Sequence, residues 1–231
     1  MRALLLAAGE GRRLRPLTLH CPKPLLTVAG EPLIERHIRA LVAAGIREIG
    51  VNLHHLGGLI ERRLGSGERF GATLTYFHED LLLDTGGAVR NAAVWLGDGP
   101  FVLVAADVLC DYDFADLAVH AAPLTRRMVD AHLFLVANPS HNPTGDFGFD
   151  SEGRLTRQGP RGLTYAGMAI IDSRLLETET RIVFPIRDAL FSAAARGRLA
   201  GSTLTEAWCD VGTVERLVEC RRLEGDIAHG S

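Results

Sequence analysis

Residues Arg2 to Leu26 read RALLLAAGEGRRLRPLTLHCPKPLL, and the first half of that string decides the fold class. The run from Arg2 to Ala8 is apolar without alternation, the pattern of a strand buried on both faces. It ends in Gly9-Glu10-Gly11, where glycine lets the main chain come close enough for its N–H groups to meet an anion. A doubly buried strand feeding a glycine turn opens a parallel α/β sheet. A positive charge ahead of an apolar run also suggests a secretory leader, but this run is too short and passes straight into Gly and Arg, so it reads as the first strand.

Working outward, Pro32 opens a segment with Leu33, Ile34, Ile38, Leu41 and Val42 at helical spacing, and Gly45 closes it. Further strands are expected at Glu48 to Leu53, Thr73 to Phe77, Phe101 to Ala105 and Ala131 to Ala137, with helices around Leu56 to Leu64, Ala88 to Leu96 and Phe114 to Ala121. Strand and helix alternating at this spacing predict a doubly wound, mostly parallel Rossmann-like sheet. After about Asn138 the rhythm shortens, with strands expected at Asp146 to Asp150, Arg154 to Arg157 and Thr164 to Ile171, then helices near Pro185 to Ala195 and Val214 to Gly225. That pattern predicts a single domain over 1–231, with a core over about 1–137 and a small β-rich lobe with closing helices over about 138–231.

With 231 residues, 47% hydrophobic and 23% charged, the chain can bury a sizeable core. A net charge of −3 argues against a general nucleic-acid or membrane-surface binder. Nothing approaches 18 consecutive apolar residues, so no membrane span is expected and the cytoplasm is the expected compartment. Cys21, Cys110, Cys209 and Cys220 form no CxxC pair, so reduced thiols are expected and neither structural zinc nor a disulfide framework.

Lys23 is the only lysine, against 24 arginines. Where a diffuse charge suffices this chain uses Arg, so the surviving ammonium marks a place for a compact point charge. Pro22 and Pro24 stiffen its backbone and aim it. Arg12, Arg13 and Arg15 follow the glycine turn, and a stiff cation with several guanidiniums suits a triphosphate. Neither a dinucleotide fingerprint nor a P-loop fits, since position 14 is Leu and no Gly-Lys-Ser/Thr occurs. Asp107 ends an apolar strand at the edge where open α/β sheets bind ligands. Asp210 precedes Gly212 and a helix, and the two carboxylates together could hold Mg²⁺ against phosphate oxygens. His54 and His55 are adjacent and so point apart, which suits separate structural roles better than a metal.

The string LAAGEGRRLRPLTLHCPKPL resembles the signature of the sugar-phosphate nucleotidylyltransferases. So do Asp84-Thr85-Gly86-Gly87, Val104 to Val108, Gly145-Asp146-Phe147, Tyr165-Ala166-Gly167 and Trp208 to Thr213. The resemblance leans towards members that use UTP in bacterial cell-wall recycling. It implies an enzyme that joins a nucleoside triphosphate to a sugar 1-phosphate, with Mg²⁺ on Asp107 and Asp210. It makes Arg13, Lys23 and Asp107 catalytic. Ala8, Gly9, Gly11, Arg12, Arg13, Arg15, Lys23, Thr85 and Gly87 are then nucleotide-binding, and Asp146, Gly148 and Gly167 sugar-binding. Two departures stand out. Ala106 replaces the usual Gly before the metal-binding Asp, and the lysine that often meets the sugar phosphate is missing, which leaves Arg181 or Arg187 as substitutes. A mannose 1-phosphate guanylyltransferase and a non-catalytic homologue that senses nucleotide sugars share many of these motifs. A related glycosyltransferase would place Asp-x-Asp directly after a strand, whereas Asp111-Tyr112-Asp113 comes a turn late.

Overall fold

The structure, a computed structural model, describes residues 1–157 and 162–229. Its strands are β1 (Ala3–Leu6), β2 (Thr27–Val28), β3 (Glu31–Pro32), β4 (Glu48–Leu53), β5 (Thr73–His78), β6 (Pro100–Ala105), β7 (Val108–Cys110), β8 (Ala131–Val136), β9 (Gly148–Phe149), β10 (Leu155–Thr156), β11 (Thr164–Asp172), β12 (Leu199–Thr203) and β13 (Trp208–Asp210). The helices are α1 (Leu33–Ala43), α2 (Gly57–Leu64), α3 (Asp84–Asn91), α4 (Ala93–Leu96), α5 (Leu117–Thr125), α6 (Ile186–Ala195) and α7 (Val214–His229). Seven strands form the main sheet in the order β12-β8-β11-β6-β1-β4-β5. β5 runs parallel to β4 and β12 to β8, while β11 is antiparallel to both neighbours. The expected doubly wound, mostly parallel Rossmann-like sheet is therefore present.

β11 sits inside this sheet, although its sequence follows the short strands of the second half. Its inner half, Met168 to Ile171, is wholly buried, as a central strand requires. A register shift lies between Tyr165 and Ala169, where Gly167 adopts φ +78°. β12 carries no strand signal because its sequence, LAGST, has a central glycine. A Cβ on Gly201 would lie 2.5 Å from a Leu155 methyl, so close packing demands the residue that hides the strand.

The chain forms two compact units. The first comprises Met1–Leu4, Leu83–Val104 and Ala115–Thr205, and holds β6, β8, β11 and β12 with α3 to α6 and the β9–β10 hairpin. Phe101, Phe134, Phe147 and Phe184 are its largest fully buried side chains. The second comprises Leu5–Leu82, Ala105–Phe114 and Glu206–Ser231. It holds a separate core of Leu14, Leu26, Val28, Leu33, Leu109, Cys209, Val211, Leu217 and Cys220. That core ties the loop after β1 to β7, β13 and α7, three regions far apart in sequence.

Candidate active site

In the second unit the glycine turn is locked from behind. Gly11 has φ +61°, and a Cβ there would lie 2.8 Å from the Thr18 methyl, so only glycine fits. The Thr18 hydroxyl donates to the Gly11 carbonyl at 2.9 Å. The buried Asn52 side chain accepts from the Ala7 N–H at 2.7 Å and donates to Glu79 at 2.7 Å. Ala8 is buried and Gly9 exposed beyond this clamp. The three arginines then diverge. Arg12 and Arg15 both reach Glu10, whose carboxyl the Arg12 hydrogen bond holds down at about 2. Arg13 is exposed and makes no ion pair among the described residues.

Lys23 lies in a 3₁₀ turn, Lys23–Leu25, entered from Pro22 in an extended conformation. Its side chain is only 12% exposed and its ammonium pairs with Asp107. The loop bearing Asp107 is held by the His37 ring, whose Nε2 lies 2.8 Å from the Val108 carbonyl. A carbonyl can only accept, so Nε2 carries the proton, and burial pushes this imidazole down to about 4.

Strand β13 pairs antiparallel with β7, placing Asp210 opposite Val108, and the Val211 N–H donates to the Asp107 carbonyl at 3.0 Å. Asp107 and Asp210 thus sit on hydrogen-bonded neighbouring backbones. Both oxygens of Asp210 take hydrogen bonds from Arg216, on the first turns of α7. Cys209 and Cys220 form a disulfide with Cα atoms 5.7 Å apart, joining β13 to α7. This corrects the expectation of four reduced thiols: an 11-residue spacing has no sequence signature, and only the packing of β13 against α7 brings these sulfurs together. Cys21 and Cys110 are free.

The donor set fits a hard divalent cation, since both candidates are carboxylates and each already balances a positive charge. No cluster of three or more His, Cys, Asp or Glu able to hold a metal occurs among the described residues. A cation here would complete its shell with phosphate oxygens and water.

The candidates in the first unit are held differently. The Thr85 hydroxyl accepts from the Ile186 N–H at 2.9 Å. A Cβ on Gly87 would lie 2.3 Å from the Ile182 carbonyl, so its glycine serves close packing. Asp146 accepts from the Tyr165 N–H at 2.9 Å and from Asn142 at 3.3 Å. Gly148 pairs with Thr156 in the small hairpin, and Gly167 sits at the irregularity of β11. Arg181 is tied to Glu179 and Asp188, whereas Arg187 lies near the Phe191 ring without a carboxylate partner among the described residues. His54 and His55 do point apart, to the carbonyls of Glu79 and Thr18.

Residues 2–158 match the family model described as nucleotidyl transferase. The chain belongs to the nucleotidyl transferase family. It is 42% identical to the N-acetylmuramate alpha-1-phosphate uridylyltransferase of Neisseria meningitidis serogroup B over 97% of this chain and 99% of that protein. A mannose-1-phosphate guanyltransferase of Gibberella zeae is 41% identical over only 51% of this chain and 33% of its own length. Among solved structures, a glucose-1-phosphate thymidylyltransferase from Bacillus anthracis, titled putative, shares the fold of this family member with TM-score 0.84 at 22% identity, covering 98% of this chain and 96% of its own.

Sequence reading missed Asn52, His37 and Arg216. Asn52 had a usable signal, a polar residue inside the apolar run of β4. Arg216 had none, because one arginine among 24 carries no mark.

Proposed function

We propose that this chain transfers a uridylyl group from UTP to N-acetylmuramate α-1-phosphate, giving a UDP-sugar and pyrophosphate in cell-wall recycling. The observation that carries the reading is 42% identity maintained along nearly the full length of both chains. The guanyltransferase likeness, by contrast, stops at about half of this one.

The chemistry needs little from a general base. An oxygen of the sugar phosphate, ionised near neutral pH, attacks the α-phosphorus of UTP. The bond from that phosphorus to the bridging oxygen breaks, and pyrophosphate leaves with the electron pair. Alignment and neutralisation of negative charge are then the main tasks. Arg13, exposed and without an acidic partner among the described residues, takes the triphosphate with the backbone of Gly9 and Gly11. Lys23 meets the transferring phosphate as a point charge held on a short 3₁₀ turn. Asp107 and Asp210 hold Mg²⁺, which supplies positive charge to the phosphate oxygens when bound. Thr85 and Gly87 shape the surface for the nucleobase; Asp146, Gly148 and Gly167 shape that for the sugar. With Arg181 neutralised by two carboxylates, Arg187 is the better substitute for the missing sugar-phosphate lysine. No helix among the described residues is long and apolar enough to cross a membrane.

A panel of sugar 1-phosphates with each nucleoside triphosphate, scored by pyrophosphate release, tests the assignment. N-acetylmuramate 1-phosphate with UTP is the expected best pair. A preference for mannose 1-phosphate with GTP overturns the substrate assignment while leaving nucleotidyl transfer intact.

A further inference from the structure

The two candidate metal ligands share an unusual condition: each is engaged by a basic side chain of the chain itself. Lys23 pairs with Asp107, and Arg216 hydrogen-bonds both oxygens of Asp210. Both basic side chains are only 12% exposed, while Asp107 and Asp210 are 36% and 25% exposed. The charges of these four groups sum to zero, so a bare divalent cation approaching them meets no net attraction from them. A triphosphate changes that balance, because its oxygens compete for the same ammonium and guanidinium.

The Arg216 guanidinium lies against the backbone at Gly212, where an added Cβ would meet its tip, so the side chain reaches Asp210 across a position that carries no side chain of its own. Gly212 has no left-handed φ that would require glycine for conformational reasons. The disulfide fixes the strand bearing Asp210 to the helix bearing Arg216, which keeps the pair in register.

We propose that Arg216 is a positioning residue that occupies Asp210 in the free enzyme and hands it over when nucleotide arrives, so that metal binding depends on nucleotide binding. In the free state each carboxylate is matched with a side-chain cation. In the loaded state Lys23 and Arg216 face phosphate oxygens, and both carboxylates are released to the divalent cation. This rests on the reading of Asp107 and Asp210 as cation ligands, and it makes Arg216 the determinant of when they become available.

The test is Mn²⁺ binding to the full chain, followed by the loss of the free-ion electron paramagnetic resonance signal, without UTP and with UTP after correction for the Mn²⁺ that the same UTP takes up in the absence of protein. Wild type is expected to bind Mn²⁺ weakly alone and at least about ten-fold more tightly with UTP, a coupling that must be reciprocal. Arg216→Met is expected to bind Mn²⁺ about ten-fold more tightly than wild type without nucleotide, and to lose most of the gain from UTP. Arg216→Lys, which keeps the charge, should stay near wild type. Arg216→Gln also removes the charge, so it should shift free-enzyme binding in the same direction as Arg216→Met and carries the test if that variant fails to fold. Mn²⁺ binding no tighter than wild type in a folded Arg216→Met or Arg216→Gln overturns the proposal. Asp210→Asn separates the two levels. If it removes the gain of Arg216→Met, the cation site stands and Arg216 guards it; if it leaves Mn²⁺ binding unchanged, the metal assignment falls and this inference with it.

Discussion

The two units hold their candidate residues in opposite ways. In the second, charged side chains meet charged side chains: Lys23 with Asp107, Arg216 with Asp210, and Glu10 with Arg12 and Arg15. In the first, Arg181 apart, they are held by neutral and main-chain partners, with Asp146 on the Tyr165 N–H, Thr85 on the Ile186 N–H and Gly87 against a carbonyl. Ion pairs between partly exposed groups contribute little stability and exchange partners readily. Part-buried hydrogen bonds from main-chain N–H groups are held more firmly, since an orphaned N–H away from water costs about 1–3 kcal/mol. The unit proposed to meet the multiply charged phosphates is therefore built from exchangeable contacts, and the other holds these candidates by fixed ones.

The sharpest way to break this contrast lies at Lys23. Lys23→Ala should lower turnover on the order of a hundred-fold or more while leaving the melting temperature nearly unchanged, since a charge aimed at the reacting phosphate is lost but no core contact is. Lys23→Arg should also be poor, because a planar fork does not replace a point charge. Near-normal pyrophosphate release from the arginine variant would falsify the role given to the lone lysine. Asp107→Asn and Asp210→Asn should likewise abolish Mg²⁺-dependent turnover with the fold intact, as melting and activity measured side by side would reveal.

Acid should reveal the fixed character of the first unit. Burial, with His120 alongside, pushes His132 down to about 4 from an ordinary 6.5. A depressed histidine contributes stability above pH 6.5 that is lost as pH falls towards 4, because the unfolded chain takes up the proton first. Relative to His132→Gln, wild type should lose about 2 kcal/mol more unfolding free energy between pH 7 and pH 5. Parallel denaturant titrations of the two proteins check this, and identical pH slopes would contradict it.

A smaller effect separates the arginines. Arg13→Ala should reduce kcat/KM about ten-fold, the scale of one charged hydrogen bond, whereas Arg12→Ala removes a side chain already committed to Glu10 and should change it less than about three-fold. Equal losses would mean that the Glu10 pairs dissolve when substrate binds. Smallest is Asp146→Ala, expected to raise KM for the sugar phosphate about five- to ten-fold and that for UTP hardly at all. A larger change for UTP would move Asp146 out of the sugar's surroundings.

The legible parts of the molecule were those with long-range pattern. β4 was readable to the residue because Ile49, Val51 and Leu53 alternate within a short run that stands between two turns. Lys23, Asp107 and Asp210 could be singled out as candidates from sequence because the proposed chemistry restricts which side chain can serve. Short strands such as β7 and β13 were not, since three residues cannot display a period. Their pairing nonetheless brings Asp107 and Asp210 side by side. The disulfide and the Arg216 contact were hidden for a related reason: both depend on how α7 folds back on β13, which no local window records.

The discontinuous build of the second unit has a consequence for how the enzyme comes into being. A ribosome releases Lys23 and Asp107 early, but Cys209, Asp210, Val211, Leu217 and Cys220 arrive only with the third segment, Glu206–Ser231. Until then the small core beneath the signature loop lacks four of its nine buried members, and the second carboxylate does not exist. Nascent chains therefore pass most of synthesis with this apolar surface uncovered, a state open to chaperones and proteases. A chain interrupted before residue 206 would carry the lone lysine and be recognisable to quality control by the very surface that the last segment is needed to cover.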